Sequence, residues 1–70
     1  MTSERLTNTM KLHRVAKGIT QAQLADRTGV TRKTINSVEN GVFVPSTVLA
    51  LKIARALEKS VEAIFVLPDE

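Results

Sequence analysis

The chain has 70 residues, 43% of them apolar, with ten Lys or Arg, seven Asp or Glu and one His, for a net charge of +3. That length makes one small domain; the absence of cysteine excludes a disulfide framework or thiolate metal site, and a lone His excludes a histidine-built metal centre. No apolar run approaches the ~20 residues of a membrane span, and Met1-Thr2-Ser3-Glu4-Arg5 does not lead into a signal-peptide core, so a cytoplasmic location is expected.

In chain order, five helices are predicted, over roughly 3–17, 21–28, 32–40, 47–58 and 61–65. Gly18, Gly29 and Gly41 follow the first three and mark their ends. Thr20, Thr31, Ser46 and Ser60 stand where the next helices begin and are candidate N-caps, since their hydroxyls accept from free backbone N–H groups. Thr20-Gln21-Ala22-Gln23 fits a capping box, with Ile19 and Leu24 as its hydrophobic staple; Val30 and Ile35 repeat the staple around Thr31. The fourth helix is mostly apolar, with Lys52 and Arg55 on one narrow side, and is the expected core helix. No period-two run stands out beyond a short extended end at Phe65-Val66-Leu67.

Charge is unevenly spread. Residues 1–40 hold seven basic against three acidic side chains, and residues 41–70 hold three against four. A one-sided positive charge favours a polyanionic partner. The third helix sharpens this. At about 100° per residue, Arg32, Asn36, Asn40, Lys33 and Ser37 fall within about 140° of one another, opposite Thr34, Ile35 and Val38. Geometry alone also fits an ordinary solvated face. The polar arc, however, carries hydrogen-bonding heads and no acid. In the DNA major groove Arg and Lys donate to guanine, Asn pairs with adenine, and Ser or Thr serves a base or a phosphate. Gly29-Val30-Thr31 alone separates this helix from a short preceding one, which is helix-turn-helix spacing.

Several marks occur together: Thr20-Gln21, Leu24-Ala25, Gly29-Val30-Thr31, Ile35, Val38-Glu39-Asn40-Gly41, Pro45-Ser46 and Ala50-Leu51-Lys52-Ile53-Ala54. From about Met10 to Phe65 the chain resembles the phage-repressor-type (Cro/cI, XRE) helix-turn-helix regulators. The resemblance implies an all-α, lambda-repressor-like five-helix domain, some members ending in a short strand, that binds double-stranded DNA sequence-specifically, usually as a homodimer. Arg32, Lys33, Asn36 and Ser37 match base-reading positions, with phosphate contact or free solvent as the alternative for each. Gln21, with Thr20 beside it, is implied to brace both a phosphate and a residue of the third helix; Thr31 is an N-cap first and a backbone or base-methyl contact second. Asn40 matches a phosphate contact, or is simply a C-cap beside Gly41. Glu39 is expected to pair with Arg14 as a structural ion pair. Relatives often carry a base at Val42, commonly Leu at His13, and a Gly-containing turn at Glu58-Lys59.

One short helix reads few base pairs, so pairing about a two-fold axis over a pseudo-palindrome is expected. Phe65, Val66 and Leu67 are the candidate dimer surface, although Ile64 and Phe65 also suit the monomer's own core. With no room for an effector domain, the expected mechanism is occupancy near a promoter, which blocks or recruits polymerase, with repression the favoured of the two. An antitoxin retaining the same DNA-binding fold is the competing reading. An enzyme is set aside: no paired carboxylates, Ser/His arrangement or phosphate-cradling glycine loop is present. No cofactor, small-molecule ligand or membrane partner is expected.

Overall fold

The computed structural model describes residues 6–68. In order, these form strand β1 (Thr7–Asn8), helices α1 (Met10–Lys17), α2 (Gln21–Thr28), α3 (Arg32–Glu39), α4 (Thr47–Leu57) and α5 (Val61–Ile64), and strand β2 (Phe65–Val66). Four helices start on a hydroxyl that accepts a backbone N–H: Thr20 from Gln23, Thr31 from Thr34, Ser46 from Leu49 and Ser60 from Ala63. At Thr20 the box is complete, because the Gln23 side chain accepts in return from the Thr20 N–H at 2.8 Å. These bonds satisfy donors that a helix start leaves free.

α4 runs through the centre. Its Leu49, Ile53, Ala54 and Leu57 are buried against Met10, Leu24, Ala25, Ile35, Val38, Ile64 and Phe65. Ile19 and Val30, the outer halves of the two staples, pack on this cluster from its edge. Among the described residues no helix is long and apolar enough to cross a membrane.

The first helix differs from its expected span of 3–17. Residues 3–5 lie outside the described residues, and the helix starts at Met10. Thr7 and Asn8 are instead extended and pair antiparallel with Val66 and Phe65. The reason is local chemistry. Thr and Asn favour side-chain bonds to backbone over helix interiors, and here acceptors from distant segments are at hand. Thr7 Oγ1 donates to the Val66 carbonyl at 2.9 Å, Thr9 Oγ1 to Ala63 at 2.9 Å, and Thr9 N–H to Ile64 at 2.8 Å. Asn8 does most. Its Oδ1 accepts from the Met10 N–H at 3.1 Å, and its Nδ2 donates to the Val38 carbonyl at 3.0 Å. The fold is therefore five helices with a small two-stranded sheet. The short extended end expected at Phe65-Val66-Leu67 contains strand β2, and Phe65, also counted as the end of the fifth helix, belongs to that sheet.

α4 ends on Glu58, whose φ of 59° lies in the left-handed region. Elsewhere a glycine takes that role. Glu58 holds it while its carboxylate accepts from Lys17 Nζ at 2.7 Å.

Candidate nucleic-acid interface

α2 and α3 pack on each other through a three-residue turn. Gly29 ends α2 at φ +74°, which glycine adopts without strain. The Val30 N–H then bonds the Ala25 carbonyl at 3.1 Å, and Thr31 caps α3. Thr31 Oγ1 also lies 3.0 Å from Thr34 Oγ1, so these hydroxyls are coupled to each other. Thr34 is half-buried, in keeping with its inward tilt.

The packed side of α3 is Ile35 and Val38, at 0% and 1% exposure. Its other side presents Arg32, Lys33 and Asn36 to solvent, with Ser37 half-buried. Arg32 and Lys33 make no ion pair among the described residues. No acid stands in the first turn of either α2 or α3, so nothing offsets the positive end of the helix dipole there. A shallow open groove beside Arg32 is lined by Val15, Gly18, Ile19, Thr20 and Gln21. The structure thus brings the start of α2 next to the start of α3.

Behind this face lies a connected polar network. Arg14 Nε donates to Glu39 Oε2 at 2.6 Å, and Arg14 Nη2 to Glu39 Oε1 at 3.4 Å. Arg14 Nη1 donates to the Ile19 carbonyl at 2.9 Å, fixing the guanidinium against the α1–α2 turn. The side chains are 11% and 3% exposed, so this is a buried ion pair whose bonds satisfy much of both groups. Gln21 extends the network: its Nε2 donates to Glu39 Oε1 at 3.0 Å and to Asn36 Oδ1 at 3.2 Å. Asn40 Nδ2 reaches the same Asn36 oxygen at 3.4 Å. One chain of bonds therefore joins α1 and α2 to the middle and carboxyl end of α3, at Asn36, Glu39 and Asn40.

The other expected positions fall as follows. Thr20 is exposed and occupied by its capping box. Asn40 is the C-cap residue of α3, and it is also exposed. Val42, in the loop after α3, is an apolar side chain at 81% exposure. His13 is half-buried, and no metal-binding cluster exists among the described residues. Phe65 is 9% exposed and belongs to the monomer core, whereas Val66 and Leu67 are 43% and 72% exposed.

Two contacts were not visible from the sequence. Asn8, read as part of a helix, ties the N-terminal strand to the last turn of α3. Gln21 was expected to brace a residue of the third helix, and it does so at Asn36, but its bond to Glu39, which joins it to the ion pair, was not expected. The run Thr7-Asn8-Thr9, with helix-averse side chains just before Met10, was the available signal for the first.

A helix-turn-helix family model matches residues 10–64. The chain is 49% identical over 59 residues to an uncharacterized HTH-type transcriptional regulator of Methanothermobacter thermautotrophicus, covering 83% of this chain and 86% of that one. It is 40% identical over 65 residues to the uncharacterized HTH-type transcriptional regulator YgzD of Bacillus subtilis, covering 93% and 98%. Among solved structures, it is similar to the restriction-modification controller protein C.AhdI of Aeromonas hydrophila, with a TM-score of 0.73, 35% identity, and 77% and 78% of the chains covered. With the α2–turn–α3 geometry, these similarities lead to one conclusion: the chain belongs to the XRE-type helix-turn-helix family of DNA-binding transcriptional regulators, which are not enzymes.

Proposed function

We propose that this protein is a homodimeric repressor that reads a pseudo-palindromic operator with α3 in the major groove. The observation that carries this reading is the exposed row of Arg32, Lys33 and Asn36 on a helix whose opposite side buries Ile35 and Val38. In this reading Arg32, Lys33, Asn36 and Ser37 face base edges. Gln21, Thr20, Thr31 and Asn40 position the phosphate backbone, Gln21 at the amino end of α2 where free N–H groups suit an anion. Arg14 and Glu39 keep α3 at a fixed angle to α1.

Dimerisation is supported by an apolar surface away from that row. Phe43, Val44, Leu51, Val66 and Leu67 are exposed, and Leu51 lines a groove with Leu6, Pro45, Ala50, Val61 and Phe65. Reading adjacent major grooves requires the two recognition helices of such a dimer to lie ~34 Å apart on one side of the duplex. Repression then follows from occupancy of promoter DNA, set by the protein's own concentration. The similarity to a restriction-modification controller protein favours a regulatory role of this kind.

Selection of bound sequences from random duplexes, followed by footprinting, tests the reading. Wild type should yield a two-fold symmetric site. Arg32→Ala should relax one position per half-site by about 1–3 kcal/mol while leaving the others in place. Uniform weakening on every sequence, or no enrichment by wild type, would sink it.

A further inference from the structure

The hydrogen-bond polarity of the reading face is set from inside the protein. Glu39 is buried against Arg14, and a carboxylate paired with a guanidinium only accepts hydrogen bonds. Gln21 must therefore turn Nε2, not its carbonyl oxygen, toward Glu39 Oε1, which it meets at 3.0 Å. The other hydrogen of that same Nε2 is directed to Asn36, at 3.2 Å, so Asn36 must answer with its oxygen. Asn40 Nδ2 approaches that oxygen as a second donor at 3.4 Å. Asn36 Oδ1 is thus engaged twice, and Asn36 Nδ2 has no acceptor among the described residues. A buried charge two hydrogen bonds away dictates which end of an exposed amide faces out.

We propose that Asn36 is a donor-only specificity residue that selects guanine, rather than the bidentate adenine reader that asparagine usually is. This rests on α3 being the helix that enters the major groove. Adenine offers N7 as acceptor and its 6-amino group as donor, so asparagine needs both amide atoms to match it. Guanine offers two acceptors, O6 and N7, and asks only for donors. Turning the amide of Asn36 over would set its Nδ2 against Gln21 Nε2, and Gln21 cannot turn in response without opposing its oxygen to Glu39. Arg32 and Lys33 are donors without acceptor capacity, so the row Arg32, Lys33 and Asn36 forms one donor surface, fitted to a guanine-rich half-site.

The test compares selected sites for wild type, Asn36→Ala and Glu39→Gln, with circular dichroism confirming the fold of each. Expected is one position that loses its preference in Asn36→Ala and that holds guanine in the wild-type site. Replacing that guanine with adenine should weaken wild-type binding about 5- to 150-fold. A wild-type adenine at that position, or no position that depends on Asn36, overturns the proposal while leaving duplex reading intact. In Glu39→Gln the amide can donate as well as accept, so adenine should be admitted at the same position; undiminished guanine selectivity in a folded variant overturns the role of the carboxylate. Should Glu39→Gln fail to fold, the Asn36→Ala comparison decides. Absence of any selected sequence for wild type defeats the underlying DNA-reading function instead.

Discussion

Arg14 Nε lies 2.6 Å from Glu39 Oε2, bridging α1 to the last turn of α3 beneath the exposed row. Removing one partner of a buried pair strands the other charge, at a cost of about 3–5 kcal/mol. Arg14→Ala and Glu39→Ala should each lower stability by that order in urea titrations. Replacing both with apolar residues of similar size, as in Arg14→Met with Glu39→Leu, should recover much of the loss. Equal stability of wild type and Arg14→Ala would show that the pair has no structural role.

Asn8→Ala should destabilise the domain by about 1–3 kcal/mol. The substitution leaves the Met10 N–H and Val38 carbonyl without their side-chain partners, in a partly buried setting. The urea midpoint is the readout. Asn8→Asp should recover the bond to Met10 N–H and lose the one to Val38, landing between the two.

Glu58→Gly should raise the melting temperature by a few degrees. Left-handed backbone is unfavourable for a residue with a side chain, and glycine removes that cost. The opposing loss, an exposed pair with Lys17, is small because solvent screens it. That pair also has a pH signature. The hydrogen bond and charge of Lys17 hold the Glu58 carboxyl below its usual 4.5. A depressed folded value means the pair stabilises above pH 4.5 and fades as pH falls through the lowered value. In Glu58→Gly this small acid-side loss should vanish, and in wild type it should shrink in high salt.

Leu51→Glu and Leu67→Glu should turn a dimer into a monomer in sedimentation equilibrium at high micromolar concentration. Both side chains are exposed, at 55% and 72%, so the monomer's stability should change little. Operator affinity should fall steeply, since each half-site then binds alone. A wild-type protein already monomeric at that concentration would remove this apolar surface from the account.

Much of the fold was legible because its signals are local. A hydroxyl capping a helix, or a glycine ending one, acts within four residues, and Thr20, Thr31, Ser46 and Ser60 could be read one at a time. Of the β1–β2 ladder only the extended end at Phe65-Val66-Leu67 was legible. Its partner β1 was not, because the paired residues are 59 apart at Thr7 and Val66 and each strand is two residues long. The exposed row on α3 followed from helical spacing alone. The pairing of Arg14 with Glu39 came from family resemblance, because nothing in a spacing of 25 residues specifies it. Gln21 Nε2 bridging Glu39 and Asn36 needed the crossing of two helices, which no single segment encodes.

The network under α3 divides its exposed row into two kinds of position. Arg32 and Lys33 make no side-chain bond among the described residues, so they can be exchanged at little risk to folding, and on the proposed reading such exchanges would move the regulator to a new operator. Asn36 is wired through Gln21 to a buried charge, and altering it disturbs the support as well as the readout. Paralogues that diverge in target are then expected to vary first at the amino end of this helix, with the amide near its middle changing late and together with its partners.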